Sequence, residues 1–216
     1  MRLAPQATYA AGGSAATDWG LGETDTTFGA GFTTSIDIYL KFGTTNDTRF
    51  DWDTALNNSS GGFLRDFGFI GGYYNNTDAT GTGDRFVINA GNNFGRGNSN
   101  PEDPGHDPFV ILTQGWYTFT QTFTNNRGTL LDTLQIYNTA TNALLHTWTL
   151  GGDPIANVGG PRYGWVVENE FSSLAIDNTS LTMNVVPEPK TLADLALGAG
   201  LTLGIMAWRR QRRAAL

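Results

Sequence analysis

The chain contains no cysteine, and Lys41 and Lys190 are its only lysines. Without cysteine there are no disulfides, no thiolate nucleophile and no thiolate metal site. Basic charge is scarce as well: residues 1–185 carry eight lysines and arginines against eighteen acids. Nucleic acid is bound by neutralising phosphates, so a domain this acidic excludes nucleic acid as a partner. Also missing before residue 190 is any sustained 3.6-residue apolar period, which excludes a helical bundle. His106 and His146 are the only histidines. One loop histidine gives no argument for a Ser-His-Asp site, and His146 falls in an apolar alternation with Trp148.

What the first 185 residues do have is glycine, asparagine and threonine in abundance, with a normal to high aromatic share. That composition describes a folded, loop-rich domain long enough for a sizeable core. Short alternating runs recur between turn residues. Ile36, Ile38, Leu40 and Phe42 fall on one face of a strand, with Asp37, Tyr39 and Lys41 on the other. Phe86, Ile88 and Ala90 repeat the pattern, and Tyr117, Phe119 and Phe123 alternate with threonines. Leu134 and Ile136 precede a turn over 138–142, after which Leu144, His146, Trp148 and Leu150 share one face, predicting a hairpin. Runs at 164–167, 174–176 and 181–185 close the domain. Alternation with one polar face predicts antiparallel sheets packed on one side, and many short strands without helices predict an all-β sandwich.

The C-terminus is built differently. Arg209, Arg210, Arg212 and Arg213 place four cations within five residues, and Leu195 to Trp208 before them carries no charge. As a helix, 191–208 would be about 27 Å long, close to the hydrocarbon thickness of a bilayer. The stretch is apolar all round rather than on one stripe, which favours a spanning helix over one packed on its own domain. Trp208 stands where an interfacial anchor belongs, and the arginines would hold the C-terminus in the cytoplasm. Asp194 falls near the outer end of the helix, where a carboxylate reaches water. Upstream, Val186, Pro187, Glu188 and Pro189 form a segment whose two prolines forbid helix and favour an extended, accessible backbone.

The order Val-Pro-Glu-Pro, short apolar helix and terminal arginine cluster resembles the PEP-CTERM sorting domain, over roughly residues 184–213. The resemblance implies a protein exported across the inner membrane and held there briefly. An exosortase, a membrane transpeptidase, would then process it near Pro187-Glu188-Pro189 and leave it at the cell surface or outside. The chain would be that enzyme's substrate. Such a tail describes routing and not the activity of residues 1–185. Export needs a leader, and Met1 to Ala7 holds no apolar stretch of signal-peptide length; the expectation is a leader encoded upstream of Met1, the alternative a decayed copy.

Within the remainder, an early Ser35-Ile36-Asp37-Ile38-Tyr39 strand, a late Gly115-Trp116-Tyr117 strand leading to a hairpin, and a closing Leu174-Ala175-Ile176-Asp177-Asn178 strand look like a concanavalin/laminin-G-like jelly roll. The expected organisation is an N-terminal segment 1–30, a jelly-roll domain 31–185 and a sorting tail 186–216, with motif 186–191, transmembrane helix 191–208 and arginine cluster 209–213.

Four constellations bear on chemistry. Glu168 and Glu170 would share a strand face, as the acid and nucleophile of a retaining glycosidase must. Jelly-roll glycosidases use a Glu-x-Asp-x-x-Glu pattern, whereas here Asn169 stands between the glutamates and Ser173 ends the motif. Hydrolysis of a polysaccharide is therefore the alternative, and two solvated strand-end glutamates the simpler reading. For calcium, the candidate oxygen ligands are Glu102, Asp103 and Asp107 in a proline-stiffened loop, with Asp47, Asp51 and Asp53 a second set. Asx-turns explain the same residues without an ion. Tyr73 and Tyr74 are the best surface candidates for stacking on sugar rings, while Trp148 and Trp165 read as core. The glycine-rich 91–97 has no helix after it and reads as a loop, not a phosphate site. The expectation is a non-enzymatic envelope or extracellular-matrix protein that binds a polysaccharide or simply assembles.

Overall fold

The computed structural model describes residues 7–10, 14–17, 25–79, 82–92, 100–169 and 173–184, with backbone only at 7–10, 14–17, 167–169 and 173. It is all-β. Twelve strands form two six-stranded antiparallel sheets, consistent with a jelly-roll sandwich. In chain order the strands are β1 (Ala7–Ala10), β2 (Ser14–Thr17), β3 (Phe32–Leu40), β4 (Thr48–Asn58), β5 (Phe63–Tyr74) and β6 (Arg85–Asn92). They continue as β7 (Phe109–Ile111), β8 (Gly115–Asn126), β9 (Thr129–Asn138), β10 (Ala143–Pro154), β11 (Val158–Asn169) and β12 (Ser173–Met183). Sheet A runs β1-β12-β3-β8-β9-β10 and sheet B runs β2-β11-β4-β5-β6-β7. Two short segments of the expected N-terminal region thus serve as edge strands, one in each sheet. The chain divides after Asn184, and the sorting motif, the apolar stretch 191–208 and the arginine cluster all lie outside the described residues. Among the described residues no helix is long and apolar enough to cross a membrane.

The alternating runs become strands because each can bury one face. Phe32, Ile36, Ile38 and Leu40 of β3, Tyr117, Phe119 and Phe123 of β8, and Leu134 and Ile136 of β9 are all buried. From sheet B, Phe50 and Trp52 of β4, Phe67 and Phe69 of β5, and Phe86 and Ile88 of β6 meet them. Phe69 is the pivot. It stacks on Trp52 at 5.8 Å and meets Phe119 and Trp148 edge-on at 5.1 and 5.8 Å. Such aromatic pairs add directional stabilisation beyond area burial.

A polar layer separates the core into two apolar clusters. Thr34 and Thr54 meet across the sandwich, Oγ1 to Oγ1 at 3.1 Å. Gln121 donates Nε2 to the Phe67 carbonyl at 3.2 Å. Asp132 completes the layer, fully buried, with neither carboxyl oxygen hydrogen-bonded. Desolvation raises its pKa well above the usual carboxylate range.

The β8–β9 hairpin closes on Arg127-Gly128, both with positive φ (55° and 91°), between the paired residues Asn126 and Thr129. Two left-handed residues make the turn whose twist matches antiparallel strands. The β9–β10 hairpin turns where expected, around Asn138 Oδ1, which accepts from the backbone of Ala140 and Thr141. One expectation fails there. Leu144 pairs with Tyr137 and is 51% exposed, whereas His146 pairs with Ile136. A bulge at Leu145 moves Leu144 to the opposite face from Trp148.

Candidate functional site

The two sheets differ in what they carry on their outer faces. On sheet B the outward positions are largely buried: Asp53, Ile70, Tyr74, Arg85, Val87 and Asn89 are each less than a tenth exposed. Part of the covering is the loop after Asn100. Its Pro101 ring lies over Gly72, where an added Cβ would approach it to 2.9 Å, and the Asn100 carbonyl accepts from Asn89 Nδ2 at 2.8 Å. Arg85 links the loops, contacting Asp78 and Glu102 and lying 5.1 Å above the Tyr74 ring. Burial works against the Arg85 charge, and the two carboxylates more than restore it.

This arrangement corrects the expectation for Tyr73 and Tyr74. Both are buried, at 1% and 4% exposure. Tyr73 faces the core against Phe42 and Phe86, and its Oη accepts from the Gly43 backbone N–H. Tyr74 lies under Arg85. Burial raises the pKa of both phenols. Consecutive strand residues face opposite sides, and here both sides are covered, which the sequence could not disclose.

The proline-rich loop does not gather its carboxylates. Glu102 accepts from Arg85 at 3.0 Å, and Asp103 Oδ1 caps the turn at Pro104–His106 by accepting from Gly105 N–H. Asp107, left-handed at φ 50°, sets Oδ2 3.1 Å from His146 Nε2, and its carbonyl accepts from Trp148 Nε1. Each acid therefore serves a different partner. Among the described residues no three metal-ligating side chains converge, in this loop or around Asp47, Asp51 and Asp53. Glu168 pairs in register with Phe50 at the end of β11, while Glu170 lies outside the described residues.

The two histidines flank one cleft. Ala90 to Asn92, Gly105 to Asp107 and Thr147 to Leu150 line a space of about 400 Å³ between the end of β6 and β10. His106 Nδ1 is 3.2 Å from the Ala90 carbonyl, and His146 lies between Phe109 and Trp148. As expected from the sequence, His146 is held among aromatics and Trp148 is core.

Among the described residues, no loop covers the outer face of sheet A in the way the loop after Asn100 covers sheet B. Tyr39 of β3 and Trp116 of β8 are direct cross-strand partners, half-buried, with rings 5.4 Å apart and edge-on. Tyr137 of β9 stands beside them, opposite Thr118. Asp37 anchors this corner, accepting from Thr118 Oγ1 and from Asn178 Nδ2, each at 2.6 Å. Beyond it, the outward positions of β3, β8, β9 and β10 are mostly threonines, with a serine, a glutamine, Asn126 and the apolar Leu131 and Leu144. Half-exposed aromatic rings beside fixed hydroxyl and carboxylate groups form the composition that recognises a polyhydroxylated ligand: the rings take apolar C–H faces and the polar groups take hydroxyls. The pairing was not legible in the sequence, even with Trp116 a possible stacking residue, because Tyr39 and Trp116 lie far apart in the chain. The available signal was that each opposes a core residue in its own alternation.

No family model matches the sequence, and no curated protein matches it. Among solved structures, the chain is similar to a legume lectin-like domain from Entamoeba histolytica, at 11% identity and TM-score 0.37 over 73% of each chain. It is also similar to an alginate lyase from Alteromonas sp.272, at 6% identity and TM-score 0.32, over 73% of this chain and 74% of that one.

Proposed function

We propose that this chain is an exported, non-catalytic envelope or matrix protein that binds polysaccharide through the outer face of sheet A and is routed by its C-terminal tail. The observation that carries the binding reading is the Tyr39–Trp116 pair, half-exposed and edge-on at 5.4 Å on that face. The core rings Trp52 and Phe69, by contrast, stack where no ligand could reach them. The routing reading rests on the order of Val186-Pro187-Glu188-Pro189, the apolar stretch and Arg209, Arg210, Arg212 and Arg213. An exosortase-type transpeptidase at the inner membrane is the partner that this tail would engage.

Affinity electrophoresis of the full chain through gels containing polysaccharides tests the binding. Retardation in at least one gel, reduced tenfold or more in retention constant by Trp116→Ala with Tyr39→Ala, is the expected result. No retardation in any gel, or retardation unaffected by the double substitution, rejects this site. For routing, the chain is expressed with an export leader in a host with and without an exosortase. A shortened surface form that requires both the enzyme and Pro187-Glu188-Pro189 is expected; an unshortened product in every arm rejects it.

A further inference from the structure

The strand register of sheet A places its hydroxyl groups in rows. Thr182, Thr33, Thr122, Thr133 and Thr149 are successive partners across β12, β3, β8, β9 and β10. One step along the strands, Ser180, Ser35, Thr120, Gln135 and Thr147 form a second row on the same five strands. Directly opposed residues share a face, so both rows lie outward, and all ten residues are half-exposed or exposed. Neighbours within the rows hold one another in place: Ser35 to Ser180 at 2.7 Å, Thr33 to Thr122 at 3.3 Å, and Gln135 Nε2 to Thr147 Oγ1 at 3.4 Å. A third row brings Asp37, Thr118 and Tyr137 together, and a fourth Tyr39 and Trp116.

Charge decides which polymer suits this face. Among the outward positions of β12, β3, β8, β9 and β10, the charged residues are Asp37 and its register partner Asp177, both acids. There is no lysine or arginine there to meet a uronate or sulfate, and the chain as a whole carries a formal charge of −7. A polyanion would meet net repulsion, felt over about 10 Å at moderate salt. Spacing bears on direction. Neighbouring row residues are about 4.8 Å apart, backbone to backbone, across strands but about 6.7 Å apart along one strand, and the shorter interval is of the order of one pyranose ring.

Resting on the polysaccharide reading above, we infer that the ligand is an uncharged polysaccharide whose chain crosses the strands of sheet A along the threonine and serine rows, beside the Tyr39–Trp116 pair. Hydroxyl rows serve the sugar's own hydroxyl groups, and the aromatic corner sets where a ring face can stack.

The test compares the full chain on neutral polymers (mixed-linkage β-glucan, glucomannan, dextran) and anionic ones (alginate, polygalacturonate) at low and moderate salt. Retention on at least one neutral polymer, little changed by salt, with none on the anionic pair, is expected. Thr120→Glu at mid-face and Thr149→Glu on β10 are each expected to weaken neutral binding at least tenfold, with thermal melts like the parent's. Equal or tighter anionic binding overturns the charge inference while leaving the polysaccharide reading intact. Loss with Thr120→Glu but not with Thr149→Glu overturns the crossing direction. Loss with Trp116→Ala alone, with both glutamate variants still binding, overturns the role of the rows. Absence of binding to every polymer overturns the reading beneath them.

Discussion

Asp132 should make this protein less stable as pH rises, and its removal should stabilise the fold. The side chain is 0% exposed, its register partners are Phe123 and Leu150, and neither oxygen has a hydrogen bond. Desolvation raises the folded-state pKa well above the ordinary carboxylate value. The sign follows from which state binds more protons. Below about pH 4 the carboxyl is protonated in both folded and unfolded chains, and stability is unaffected by it. Above that pH the unfolded chain ionises while the folded one stays protonated. Stability then falls by about 1.4 kcal/mol per pH unit, until the folded pKa is reached and the contribution levels off. Asp132→Asn, of the same shape, removes this slope. Asp132→Val also removes the unsatisfied polar group, worth about 1–3 kcal/mol, and should raise the melting temperature by several degrees. Urea unfolding of parent and variants from pH 4 to pH 8 measures both quantities. If parent and Asp132→Asn lose stability in parallel, or if Asp132→Val unfolds at lower urea, the buried carboxyl does not act as described here.

Phe69→Ala should cost about 3–5 kcal/mol, since the ring contacts Trp52, Phe119 and Trp148 in a filled core; chemical denaturation reads this directly. Trp116→Ala, on the outer face, should cost far less, about 1 kcal/mol, so that its effect on polysaccharide retention is not one of unfolding. Arg85→Ala strips Asp78 and Glu102 of their common cation and should destabilise by about 2–3 kcal/mol, less than a fully buried pair because Glu102 is partly exposed. Arg127→Asn places a residue better suited to the left-handed region at φ 55° and should raise the unfolding free energy slightly, by about 0.5 kcal/mol in urea titration.

The strands were legible because a two-residue period is a local property of the chain. Ile36 to Leu40, Tyr117 to Phe123 and Leu134 to Ile136 each show their buried face without reference to any other segment. Turn chemistry was legible for the same reason at Asn138. Leu144 was misplaced because a one-residue bulge reverses the alternation while leaving composition untouched. Tyr73 and Tyr74 were misplaced because covering of the outer face of sheet B depends on a distant loop, Asn100 and Pro101 among it. The same loop shows why Glu102, Asp103 and Asp107 looked like one ligand set: proximity in sequence does not set where their oxygens point.

By itself, then, the sequence determined an acidic, cysteine-free, all-β domain and a tail in which a Pro-Glu-Pro motif, an apolar stretch and an arginine cluster follow in order, since charge, period and linear order need no partner to be read. Only the tertiary structure decided which faces are covered. Among the described residues it covered much of the outer face of sheet B and not that of sheet A, brought Tyr39 beside Trp116, and set Thr182, Thr33, Thr122, Thr133 and Thr149 in one row. The physical reason is register. Which residues stand opposite one another is set by the whole sheet's need to bury its apolar side, and the pattern left on the other side is its consequence.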